Sequence, residues 1–159
     1  MPPNLLRLSS IRDMFEWYER NLCQAELRDP RGHRVRFLRE NFIHLIQLKD
    51  EYGKEPRNVR LAIDGIRAGR IRFAAKRFDP RRTSELSWAA QIAVSPDLIC
   101  SNWHATGRGD EAYIKNFGTD GEPNFSVMVC EVLGALRQVV TIFPRERIGE
   151  KERLAQVWP

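Results

Sequence analysis

Phe125-Ser-Val-Met-Val-Cys-Glu-Val-Leu133 and Leu136-Arg-Gln-Val-Val-Thr-Ile-Phe143, separated only by Gly134-Ala135, decide the fold. Both runs are rich in β-branched residues and are joined by a short glycine-containing link, the pattern of an antiparallel hairpin. By alternation Arg137, Val139, Thr141 and Phe143 share one face of the last strand, opposite Leu136, Val140 and Ile142. Glu131 shares a face with Val127 and Val129, where it is placed to orient Arg137 or pair with it. Burying such polar groups unpaired would cost on the order of a few kcal/mol, so their placement points to a site carried on a sheet.

Working outward, Glu111 to Phe117 and Leu98 to Trp103 are two further strand candidates, separated by turns at 107–109 and 118–123. The four form an antiparallel meander. Ahead of it the period is helical: Arg39 to Tyr52, ended by Gly53, then Arg57 to Ala68, ended by Gly69, then a short helix capped by Thr83 or Ser84 and running to Ala93. Arg34 to Leu38 alternates as a first strand, and Arg70 to Ala75 as an exposed extended edge. Ser9 and Ser10 are set to cap a helix whose Ile11, Met14, Phe15, Tyr18 and Leu22 make one apolar stripe. The expectation is an α+β fold, helices followed by a four-stranded antiparallel sheet. Residues 1–27 read as an amphipathic appendage suited to pairing two copies, 28–145 as the main domain, and 146–159 as a polar tail.

The chain of 159 residues carries a net charge of +5, which favours acidic partners. Between Arg57 and Arg82 nine Lys or Arg face only Asp64 and Asp79, a surplus of seven, so the remainder is slightly acidic. Arg70, Arg72, Lys76 and Arg77 are the candidate RNA contacts in that stretch. Cys23, Cys100 and Cys130 lack both the spacing of a zinc site and the density of a disulfide scaffold. Neither a secretory leader nor a run of roughly 20 apolar residues is visible, which predicts a cytoplasmic protein without a membrane span.

Nucleotide-binding loops, metalloprotease helices and serine-hydrolase elbows are missing from the chain. No metal or cofactor is therefore expected. What remains is a set of His, Lys, Arg, Thr, Tyr and Glu sufficient to cleave RNA without a metal: a base for the ribose 2′-hydroxyl, an acid for the leaving oxygen, and cations for the phosphorane. His44 lies on the polar side of its helix with Glu40 one turn back. Lys115 and Arg137 supply positive charge, Thr141 a hydroxyl, and Tyr113 a ring or phenol. Glu131 and His104, the latter in a loop after Asn102 and Trp103, are supporting candidates.

The run from Arg34 through His44, together with Ser95-Pro-Asp-Leu-Ile99, Tyr113-Ile-Lys115 and Val139-Val-Thr-Ile-Phe-Pro144, resembles phage-associated nucleases of the barnase, EndoU, colicin and RelE-like (BECR) superfamily. The resemblance implies a metal-independent endoribonuclease of toxin or effector type, cleaving RNA by 2′-hydroxyl attack to a 2′,3′-cyclic phosphate and held in check by an inhibitor or immunity protein. It maps the helix histidine to His44, the strand lysine to Lys115 and the closing hydroxyl to Thr141, with Arg137 matching as a cation. Lys49 stands where the family helix often carries a second histidine, which leaves that proton-transfer role to Lys115 or His104. Two rivals are a catalytically silent nucleic-acid-binding module and a phage structural or interaction protein.

Overall fold

A computed structural model describes residues 4–8, 10–50, 52–70, 78–101, 110–150 and 155–159. His104, Arg72, Lys76, Arg77, the turn at 107–109, the edge expected from residue 71 to Ala75 and the last two residues of the strand expected to reach Trp103 lie outside them. Seven strands make one sheet: β1 (Leu27–Arg28), β2 (Arg34–Arg36), β3 (Leu98–Ser101), β4 (Glu111–Asn116), β5 (Phe125–Leu133), β6 (Leu136–Arg145) and β7 (Gln156–Trp158). Their order is β1-β2-β6-β5-β4-β3-β7.

The α+β class stands, but the four-stranded antiparallel sheet is corrected to a seven-stranded mixed one. The meander β3 to β6 is antiparallel as expected. β2 adds to it in parallel, pairing Arg34 to Arg36 with Leu136 to Gln138. β1 and β7 then extend the two edges. β2 forms within the stretch expected from Arg34 to Leu38, but at two or three residues each β1 and β7 are too short for a period of two to announce them, and alternation does not name the partner of β2. The segment read as a polar tail thus ends in a strand against β3.

The β5–β6 turn forms where expected, with Leu133 opposite Leu136 and Gly134 at φ 62°, the positive value that a two-residue hairpin asks of glycine. Further along, alternation breaks. Val129 pairs with Thr141 but Cys130 with Val139, so Val140 is an extra residue, a β-bulge. The bulge shifts the parity of β6. Arg137 and Val139 face the helices with Cys130, Met128 and Ile142, whereas Phe143 joins Val127 and Val129 on the opposite side. The single face expected for Arg137, Val139, Thr141 and Phe143 is therefore split in two.

Among the described residues five α-helices cover the first face: α1 (Ile11–Tyr18), α2 (Phe42–Leu45), α3 (Val59–Arg67), α4 (Pro80–Leu86) and α5 (Ala89–Val94). The α1 stripe of Ile11, Met14, Phe15 and Tyr18 is buried, and it shares its core with Phe42, Ile99, Tyr113, Met128 and Ile142. Each fully buried side chain of this size contributes about 1.5–3 kcal/mol, so the N-terminal helix is bound into the sheet's own core. The helix expected over residues 39–52 is corrected to a single turn of 3-10 helix and the four residues of α2. Gln47 takes φ 55°, the Leu48 amide donates back to Ile43 O and the Gln47 amide to His44 O, a Schellman stop. Ile43, Leu45, Ile46 and Leu48 are all buried, and a straight helix has no face wide enough for them. The single helix expected up to Ala93 is two, broken at Ser87 and Trp88.

Candidate functional site

The sheet brings one group of charges together at the end of β4 where it meets the β1–β2 turn. Glu111 and Tyr113 project from the helix-facing side of β4, Arg137 from the same side of β6, and Asp29 and Arg31 enter from the turn. Arg31 straddles both carboxylates: its Nη1 and Nη2 lie 2.9 and 2.8 Å from Glu111 and its Nη2 and Nε 2.7 and 3.1 Å from Asp29. Arg137 Nε donates to Glu111 at 2.6 Å and its Nη1 to the Gly134 carbonyl at 2.6 Å. The Tyr113 hydroxyl donates to Asp29 at 2.6 Å and accepts from Arg31 at 3.1 Å. Asp29, Glu111 and Arg137 are buried.

Two carboxylates and two guanidiniums balance, and the hydrogen bonds make the arrangement tolerable in a low dielectric. Burial alone would raise both carboxyls, but the Tyr113 and Arg31 hydrogen bonds to Asp29, and those of Arg31 and Arg137 to Glu111, hold both below their ordinary values. Burial and the Asp29 contact push the Tyr113 phenol upward, so it remains a neutral donor. This network is a structural clamp rather than a reaction centre.

The four expected catalytic residues are separated by it and by the bulge. Arg137 belongs to the clamp. Thr141, on the far side of the bulge, accepts a hydrogen bond from Arg82 of α4 at 3.0 Å. Lys115 donates to the Ser95 carbonyl at 2.6 Å, lies 4.0 Å from Asp97, and so straps the α5–β3 link to β4. His44 stays partly exposed, its Nδ1 3.1 Å from Glu55 Oε1 rather than beside Glu40. Their partners, Glu55, Ser95, Glu111 and Arg82, do not overlap. Glu131 is exposed and pairs across from Gln138, on the opposite face from Arg137, so the expected ion pair is replaced by Arg137–Glu111. Tyr113 faces Asp29, not solvent. Arg70 is exposed just beyond α3.

A different group of cations meets at a cleft of about 400 Å³ lined by Arg81, Pro123, Asn124, Pro144, Arg145, Glu146 and Arg147. Three local structures build it. Asp79 caps α4 by accepting from the Arg81 and Arg82 amides, with Pro80 at the first position, which puts Arg81 in the first turn. β6 runs past the end of its pairing with β2 as far as Arg145, and along that edge Asn41 Nδ2 donates to the Val139 and Val140 carbonyls. The β4–β5 turn is fixed by Asn116 Oδ1 accepting from Gly118 and Asn124 amides, and a Cβ on Gly118 would collide with the Glu122 carbonyl. Pro123 and Asn124 are thereby held against the cleft.

Beside it, Glu85 stands one turn after Arg81 and accepts a hydrogen bond from the Ser126 hydroxyl. Burial raises the Glu85 carboxyl, against the opposing effects of Ser126 and Arg81. The sequence counted Arg81 within the basic stretch without naming it a contact, and passed over Arg145 and Arg147; the signal was there in Asp79-Pro-Arg-Arg82, a capped helix start, and Pro144-Arg-Glu-Arg147, a basic exit from a long strand.

Comparison with known proteins returns no family model, curated relative or solved structure that matches this chain. Among the described residues no helix is long and apolar enough to cross a membrane.

Proposed function

We propose that the protein is an RNA-binding module that grips phosphates through Arg81, Arg145 and Arg147. The observation that carries this reading is a cleft lined by three arginines, Arg81 of α4, Arg145 at the end of β6 and Arg147 just after it. Guanidinium is the side chain best matched to phosphate, because its planar fork donates two parallel hydrogen bonds. Net charge favours the same class of partner.

Cleavage would need a base, an acid and a charge-stabilising group around one phosphate. His44, Lys115, Arg137 and Thr141 are each engaged by a different partner, which favours binding without chemistry. The test is anisotropy of a labelled single-stranded RNA titrated across a salt series. Replacing Arg81, Arg145 and Arg147 together by Gln should cut the slope of log affinity against log salt by about 2, since each phosphate contact on a single strand contributes about 0.7. No RNA binding at low salt would end this reading. RNA cleavage in EDTA giving 2′,3′-cyclic ends would replace it with the ribonuclease.

A further inference from the structure

Resting on that reading of the cleft, we infer that Trp88 and Phe117 form a second subsite beside it, a platform on which a base of the bound RNA stacks. The fold sets the two rings on the same seam as Arg81. Arg81, Glu85 and Trp88 follow one another at i, i+4 and i+7, along one face of α4 and the turn after it, where the Trp88 amide still donates to the Glu85 carbonyl at 3.0 Å. Opposite them stand the joined ends of β4 and β5. Arg81 lines the cleft with Asn124, Glu85 accepts from the Ser126 hydroxyl, and the Trp88 ring meets the Phe117 ring. Asn124 and Phe117 are themselves tied, the Phe117 amide donating to the Asn124 carbonyl at 2.9 Å. At the helical rise of about 1.5 Å per residue, Arg81 and Trp88 lie about 10 Å apart along the axis. That is short enough for a strand held at the cleft to lay a neighbouring base on the rings.

The exposure of the pair separates it from the aromatic pairs that build the core. Phe15 and Phe42 sit 5.3 Å apart, centroid to centroid, and are 1% and 0% exposed. Trp88 and Phe117 sit at nearly the same separation, 5.2 Å, tilted by 49°, yet both residues are partly exposed. Phe117 is fixed by its packing against the main core and by the Lys115 ammonium, 6.0 Å from its ring centroid. Lys115 is held in turn on the Ser95 carbonyl. The Phe117 ring is thus set before any ligand arrives, and Lys115 serves the subsite as a positioning residue. Proteins that hold single strands combine a positively charged groove with aromatic side chains on which bases stack, and stacking tolerates any base because each has a π face. The arginine-lined cleft supplies the first half of that arrangement, and Trp88 with Phe117 the second.

The experiment sets a labelled single-stranded RNA against an abasic strand of the same length and charge. Each is titrated by anisotropy with the intact protein, Trp88→Leu and Trp88→Phe. The intact protein is expected to bind the strand with bases about tenfold tighter, within the range for one base stacked on an aromatic side chain. Trp88→Leu should bind both strands alike, with its salt slope unchanged, because stacking releases no counterions. Trp88→Phe keeps a ring and should keep most of the preference, while RNA quenches less of its tryptophan emission than of the intact protein's. Equal affinity of the intact protein for the two strands would overturn the platform and leave the cleft as a phosphate site, as would a preference that survives in Trp88→Leu. A loss in Trp88→Leu of the same size on both strands would make the indole structural and refute the assignment. If Trp88→Leu does not fold, the emission of Trp88→Phe decides: quenching as large as in the intact protein would mean that no base reaches the indole. Absence of binding to either strand at low salt would overturn the platform and the RNA-binding reading together.

Discussion

Arg31 and Arg137 differ from Arg81 and Arg147 in what surrounds the same guanidinium. The first pair is closed between Asp29, Glu111 and Tyr113, each nitrogen fork already matched to a carboxylate or carbonyl. The second pair lines an open cleft together with Arg145, Glu146, Asn124 and two prolines. Sequence position does not distinguish them. What does is whether the fold encloses each guanidinium among buried partners, so the clamp belongs to stability and the proposed recognition falls to the cleft.

The hardest blow to the clamp is Glu111→Ala, which leaves two cations facing Asp29 alone. A loss of about 3–5 kcal/mol in urea unfolding is expected, as for a broken buried ion pair. Arg81→Ala should change the same measurement by less than about 0.5 kcal/mol. Similar losses for the two variants would erase the distinction between the regions.

Acid attacks the clamp next. Asp29 and Glu111 have folded values below their ordinary 3.8 and 4.5, so their contribution is complete above those values and is lost as pH falls through the lower, folded ones. Glu85, raised by burial, runs the other way: its contribution is present below 4.5 and is lost as pH rises through its folded value. The melting temperature should fall steeply below about pH 4, and Glu111→Gln should start lower and fall less. An equal slope in both proteins would remove Glu111 from the acid response.

Tyr113→Phe tests a single strut of the clamp. It deletes the donor to Asp29 and the acceptor for Arg31 and should cost roughly 1–3 kcal/mol, with RNA affinity unchanged. The smallest effect is expected from His44→Ala, under about 0.5 kcal/mol, with its salt slope for RNA intact, because a partly exposed His44–Glu55 pair belongs to neither region. A lowered slope would draw His44 into the RNA surface.

The sequence discloses what repeats often enough to have a period. The β5–β6 hairpin, the α1 stripe and α3, expected from Arg57 and observed from Val59 with Asn58 as cap, are all legible in this way. Strands of two or three residues have no period to show, which hides β1, β2's partner and β7. The Val140 bulge escapes for another reason. Alternation counts residues, whereas facing is set by hydrogen-bond register, and one extra residue sends Thr141 to the other side. The clamp hides in the Asp29-Pro-Arg-Gly32 turn, whose Arg31 finds Glu111 80 residues later. Glu111 and Tyr113 on one strand face were the available signal that a cation had to arrive from elsewhere.

The parallel pairing of β2 with β6 also sets an order in time. The Arg36 guanidinium donates to the side chain of Gln138, 102 residues further on, so the β2 ladder closes a loop of about that length. Loop closure over such a span is slow and entropically costly, whereas the β5–β6 hairpin closes over two residues. The β5–β6 hairpin is thus the pairing with the least loop to close, whereas the α1 stripe draws its cover both from Phe42 nearby and from sheet residues such as Met128 and Ile142 far along the chain. Contact separation therefore predicts that the β5–β6 hairpin pairs before β2 joins it.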